Sequence, residues 1–129
     1  MAFLVKINMT KLSKTEPAFW EAKEIFISQL VAYVEEYKNE LIENKQNIGF
    51  VNGSERVAAL FVKHLKEFTD YLSFEDVKVS DATTKFYAHA KWEGLKDWDR
   101  TEIKIRLRNF VVFLQKKGLQ NETILEALQ

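Results

Sequence analysis

Apolar residues return at helical spacing over most of the chain. From residue 15, with Pro17 in the first turn, they fall at Phe19, Phe26, Leu30, Tyr33, Tyr37 and Leu41, with a second line at Trp20, Ile27, Val31 and Val34. A helix over residues 15–45 follows, about 45 Å long, with a stripe broad enough to be covered on two sides. Past Tyr37 the pattern turns polar, so the last turns are expected to project or fray. Residues 46–53, with Gly49 and Gly53, read as a polar break. Ser54 then offers an N-cap to a second helix carrying Val57, Phe61, Leu65, Phe68 and Leu72, a core stripe in steps of three and four.

After Phe74 and a short polar connection, Ser80 or Asp81 caps a third helix that Glu93 ends and Gly94 closes. Gly94 and Gly118 each follow a helical pattern and precede a Leu, the sequence form of a left-handed C-cap with its hydrophobic contact. Residues 84–92 also alternate as a strand would, with Thr84, Phe86, Ala88, Ala90 and Trp92 set against Lys85, Tyr87, His89 and Lys91. The alanines and the caps favour helix. Phe3, Val5, Ile7 and Met9 form a second alternating stretch.

Asp99 stands three residues before Glu102, a capping-box variant that opens a helix running to Lys117. Ile103, Leu107, Phe110 and Leu114 form its main apolar face, and Ile105 and Val112 a second. Between them runs a basic line, Arg100, Lys104 and Arg108, so this helix is expected to sit wedged between neighbours with the line turned outward. Residues 121–128 suggest a short last helix with Ile124, Leu125 and Leu128 as its apolar face. The fold expected is all-α: one domain over residues 1–129, a compact bundle of four to five helices with one long N-terminal helix. The alternative is α+β, with short strands near 3–9 and 84–92.

Composition narrows the class. The 129 residues are 47% hydrophobic with ten Phe, which suits a packed interior rather than disorder. The absence of Cys excludes disulfides and thiolate metal or redox sites and fits a reducing compartment. The first residues lack the layout of a signal peptide, and no apolar run reaches the ~18 residues of a membrane span. A cytoplasmic protein with no membrane insertion is therefore expected.

Formal net charge is zero, but it is unevenly spread. Residues 82–118 hold nine basic side chains (Lys85, Lys91, Lys96, Arg100, Lys104, Arg106, Arg108, Lys116, Lys117) against Glu93, Asp97, Asp99 and Glu102. Such asymmetry points one end of the molecule at a polyanion.

Little supports catalysis. There is no nucleophile elbow, P-loop or dinucleotide fingerprint, and only His64 and His89 titrate near neutrality. His64 lies between Phe61 and Phe68 and reads as a structural histidine. His89 has no carboxylate three or four residues before it, so the helical metal motif is missing. Glu36 and Glu40 read as a solvated face, and the acids at 97, 99 and 102 as helix capping. No cofactor or metal is expected. Trp98, in a polar turn beside the basic line, is the aromatic residue best placed to meet a ligand. Lys91 and Lys96 precede the basic line, and Lys63 and Lys66 lie on the polar side of the second helix. Packed together, these cations would converge on neighbouring phosphates.

The stretch from Phe61 through Tyr71-Leu72, the acidic Phe74-Glu75-Asp76, Phe86 to Gly94-Leu95, and Arg100 to Gly118-Leu119 resembles the helical, SAM-like core-binding domain of tyrosine recombinases, the phage-type integrases. The resemblance covers residues 55–122, with the helical core at 55–119, and rests on spaced Leu and Phe and on Gly caps. It implies that the Asp99-capped helix lies along DNA, with Arg100, Thr101, Lys104 and Arg108 as contacts. The chain stops where the family's catalytic domain would begin, which implies a binding module that cuts nothing. The reading reached is a non-enzymatic DNA-binding module whose contacts are Lys91, Lys96, Arg100, Thr101, Lys104 and Arg108. The alternative is a protein–protein interaction factor, an adaptor, inhibitor or immunity-type protein of a mobile element, without nucleic acid.

Overall fold

The structure, a computed structural model, describes residues 13–129 and is all-α. Its helices are α1 (Pro17–Glu43), α2 (Ile48–Phe68), α3 (Phe86–Ala90), α4 (Arg100–Lys116) and α5 (Glu122–Ala127), with a 3-10 turn at Phe74–Asp76. The strand expected near 3–9 lies outside the described residues. The strand alternative at 84–92 is overturned: α3 is preceded by a π-helical turn at Asp81–Lys85, and the segment after it, Lys91–Leu95, leaves helical geometry at Glu93 and Gly94. Ala82, Phe86 and Ala90 recur every fourth residue and are fully buried. Burial thus selects period 3.6 over period 2.

Helices α1 and α2 form an antiparallel hairpin. Lys38 near the end of α1 pairs with Glu55 near the start of α2 at 3.2 Å, and the buried Lys23 donates to the Thr69 carbonyl at the far end. Its turn departs from expectation. Asn47, not Ser54, caps α2, its side chain accepting the Gly49 N–H at 2.8 Å. Gly49 and Gly53 are helical, and Ser54 is buried inside α2. Helix α1 starts at Pro17 and holds its form to Glu43 instead of fraying. A Schellman closure ends it: Lys45 N–H bonds the Ile42 carbonyl at 3.0 Å and Gln46 N–H the Leu41 carbonyl at 3.1 Å.

That closure puts Lys45 at φ 58°, a left-handed conformation that a side chain disfavours. Lys45→Gly is expected to stabilise the fold by about 0.5–1 kcal/mol, read as a higher denaturant midpoint at unchanged slope. Gly94 and Gly118, at φ 104° and 96°, supply the same turn without that cost. The α4 closure matches that of α1, with Leu119 N–H on the Leu114 carbonyl at 3.0 Å and Leu119 buried.

One core takes side chains from all five helices: Phe26 and Leu30 from α1, Phe61 and Leu65 from α2, Phe86 from α3, Phe110 and Leu114 from α4, and Ile124 from α5. Tyr37 packs against Phe110 and Phe113 at 5.4 and 5.1 Å, bringing α4 onto α1. Lys117 fixes the end of α4 to Glu36 of α1 at 2.6 Å. Of the second apolar line on α1, Ile27 and Val34 are buried, but Trp20 and Val31 face solvent, so α1 is covered more narrowly than the pattern predicted. Asn121 caps α5 and donates to the Phe74 carbonyl, tying the last helix to the 3-10 turn.

Candidate functional site

The basic line depends on how α4 is started and oriented. Asp99 starts it, its carboxylate accepting the Glu102 N–H at 2.7 Å, a charge-assisted cap at the positive end of the helix dipole. Ile103, Leu107, Phe110, Val111 and Leu114 are fully buried and set the rotation of the helix. Arg100 and Arg108 are therefore exposed and Lys104 half-buried, in steps of four residues, about 6 Å apart. Arg100 lies over the Tyr87 ring at 5.1 Å, which anchors its guanidinium without neutralising it. Among the described residues, no carboxylate forms an ion pair with Arg100, Lys104 or Arg108. Thr101 and Lys96 are also exposed.

Lys91 is placed differently. Its ammonium donates to the Lys96 carbonyl at 3.1 Å and to that of Trp98, so it holds the loop before α4 from within. Lys63 is paired with Glu93 at 2.5 Å, which raises the lysine and lowers the carboxyl from their ordinary values. Lys66 lies on the side facing α1, beside Glu24 and Ile27. Neither α2 lysine joins the α4 line. Nor is α4 wedged on both sides, since Ile105 is 51% exposed and Val112 only half-buried.

Arg106, to which the sequence pattern assigns no role beyond its charge, joins α4 to α2. Its guanidinium lies between the rings of Phe50 and Trp98, at 5.1 and 5.4 Å from their centroids. It donates to the Phe50 carbonyl and to Ser54 Oγ, each at 3.3 Å, and stands 3.7 Å from Glu102. Gly53 makes room: a Cβ there would lie 3.1 Å from the Trp98 ring and 3.2 Å from the Arg106 guanidinium carbon. Trp98 is thus half-buried in this stack, not the free ring its polar turn suggested. The available signal was Arg106 standing next to Leu107, on the side of α4 that meets α2. Arg106→Ala is expected to destabilise by about 1–3 kcal/mol and to shift Trp98 emission to the red. Lys at 106 recovers little, lacking the planar fork that stacks between rings.

His64 and His89 sit in a ring cluster with Phe68 and Phe86, centroids 4.9 to 6.0 Å apart. Burial holds the His89 imidazole below its ordinary value. No group of three metal-ligating side chains occurs among the described residues, and no described helix is long and apolar enough to cross a membrane. Comparison with protein-family models, curated proteins and solved structures finds no match to this chain.

Proposed function

We propose that this protein is a non-enzymatic DNA-binding module that contacts the phosphate backbone through the outward edge of α4. The observation that carries the reading is the row Arg100, Lys104 and Arg108, three cations at one-turn spacing with no carboxylate pairing them among the described residues. Lys63 and Lys117, by contrast, are held by Glu93 and Glu36. An unneutralised row on a rigid helix places charge without reorganisation, and phosphate neutralisation releases counterions and drives binding. Thr101 and Lys96 flank the start of the row as further phosphate ligands. Lys91 acts indirectly, holding the loop that presents Lys96. The resemblance of residues 55–122 to recombinase core-binding domains supports the same use of α4.

The row supplies position and affinity rather than base reading. The test is anisotropy titration of a labelled duplex against wild type and the double variant Lys104→Glu with Arg108→Glu, over a salt series. Weaker binding with a shallower salt dependence supports the reading. An unchanged titration in the folded variant overturns it.

A further inference from the structure

Two imidazoles, one from each side of the α2–α3 contact, are packed out of water. His64 of α2 is 2% exposed and His89 of α3 is 7% exposed, with ring centroids 5.4 Å apart. Phe68 and Phe86 complete the cluster. His89 Nε2 is buried and has no hydrogen-bond partner. A neutral imidazole tolerates such a place. A charged one, with both ring nitrogens donating and its solvation lost, does not.

Burial is the main influence on the His89 proton and holds it below its ordinary value, and the charged groups around the cluster do not undo it. Lys63 and Glu67 stand on α2, and Lys85 and Glu93 at the two ends of α3. Glu93 is the carboxylate acting most strongly on His89, but Lys63 already holds it at 2.5 Å, and Lys63 itself opposes a charged imidazole. Glu35 of α1 and Lys66 of α2 line the neighbouring α1–α2 groove with Lys63 and Glu67. From α4, Arg100 reaches α3 over the Tyr87 ring. A proton is therefore taken up more readily by an α3 that has left α2 than by one packed on it. The stability that the neutral imidazole gives the closed state is whole above about pH 6.5 and fades as pH falls from there through the depressed value.

We propose that α3 is an acid-operated flap: a proton taken up by the His64–His89 pair releases α3 from α2, and the flap turns about its Gly94 end. The contacts at that end set the hinge. Past Ala90 the chain is pinned to α2, by Lys63 on the Glu93 carboxylate and by Arg56, whose guanidinium donates to the Glu93 carbonyl at 3.0 Å. Glu93 and Gly94 leave helical geometry there, at ψ 16° and φ 104°. The Lys63 bond holds the Glu93 carboxyl below its ordinary 4.5, so the pin keeps its charge while the histidines titrate. The other end has only the five residues Phe86–Ala90 and the π-helical turn before them, too little helix to persist once the ring cluster parts. Opening draws Tyr87 from under Arg100, so the first cation of the α4 row loses its anchor in the same step.

Native-state hydrogen exchange of the full chain at about pH 7.5 and about pH 5.5, each corrected for the intrinsic rate, reads the opening directly. Over residues 82–90 opening is expected to rise several-fold at the lower pH, with a ceiling of about 10-fold per imidazole for one pH unit below the ordinary value. Protection in α1 and α4 is expected to stay within about 2-fold. The double variant His64→Phe with His89→Phe keeps rings in the cluster and removes both proton sites, so its pH response over 82–90 is expected to vanish. The wild-type imidazole ¹⁵N titration needs no variant to fold: His89 is expected to charge at a lower pH than a histidine in an unfolded peptide. No DNA enters these measurements, so their outcome is separate from that of the α4 row. Equal protection over 82–90 at both pH values overturns the proposal, as does an equal rise in every helix, an undiminished response in the folded double variant, or a His89 that charges like a free histidine.

Discussion

Phe61→Ala is expected to destabilise the protein by about 3–5 kcal/mol, a large share of the ~5–15 kcal/mol that holds a domain of this size together. Phe61 is fully buried on α2, and its ring meets Phe86 edge to face at 5.3 Å. Truncation removes a fully buried aromatic contact between α2 and α3 and leaves a cavity in the shared core. It also strikes the least self-sufficient element. Helix α3 has five residues, preceded by a π-helical turn and followed by a kink at Gly94, and a helix that short has no stability of its own in water. A thermal melt followed by circular dichroism should show a midpoint about 10–20 °C lower, with native exchange protection lost first over residues 81–95. Phe61→Leu, which retains most of the volume, should cost no more than about 1.5 kcal/mol. A loss below about 1 kcal/mol for the alanine variant would mean that α3 is not held through this contact.

The second large effect is on binding. Each phosphate contact adds about 0.9 to the slope of log affinity against log salt, so removing two should flatten it by about 1.8. At about 50 mM salt those two contacts are worth on the order of 10²-fold in duplex affinity, and the reversed charges add repulsion. The control is Lys45→Glu with Lys66→Glu, which changes net charge by the same amount at exposed positions away from α4. An equal loss in the control would show that total charge decides binding and that the α4 row has no special place. Thermal melts of both variants should stay near wild type, because none of the four side chains has an ion pair to lose among the described residues.

Signals confined to one turn of chain were legible without coordinates. Asp99 before Glu102 marked the start of α4, Gly94 and Gly118 marked helix ends, and the steps Phe61, Leu65 and Ile103, Leu107, Phe110, Leu114 marked faces that are buried. The start of α2 is not legible in the sequence, because Gly49 and Gly53 are poor helix formers yet lie inside the helix. Only contact with α4 explains Gly53 there: lacking a Cβ, it lets Trp98 and Arg106 close over α2.

The linear pattern by itself determined that the chain is helical, where most of its helices end, and which line of α4 is basic, because capping, glycine conformation and periodicity act over a few residues. Which cations stay unpaired was decided only in three dimensions. Lys63 and Glu93 are thirty residues apart, and the Arg106 guanidinium reaches Phe50 across two helices. The contact between His64 and His89 likewise exists only once α3 lies on α2. Electrostatic pairing and ring contacts between helices depend on distances between elements, and those are set by packing the core.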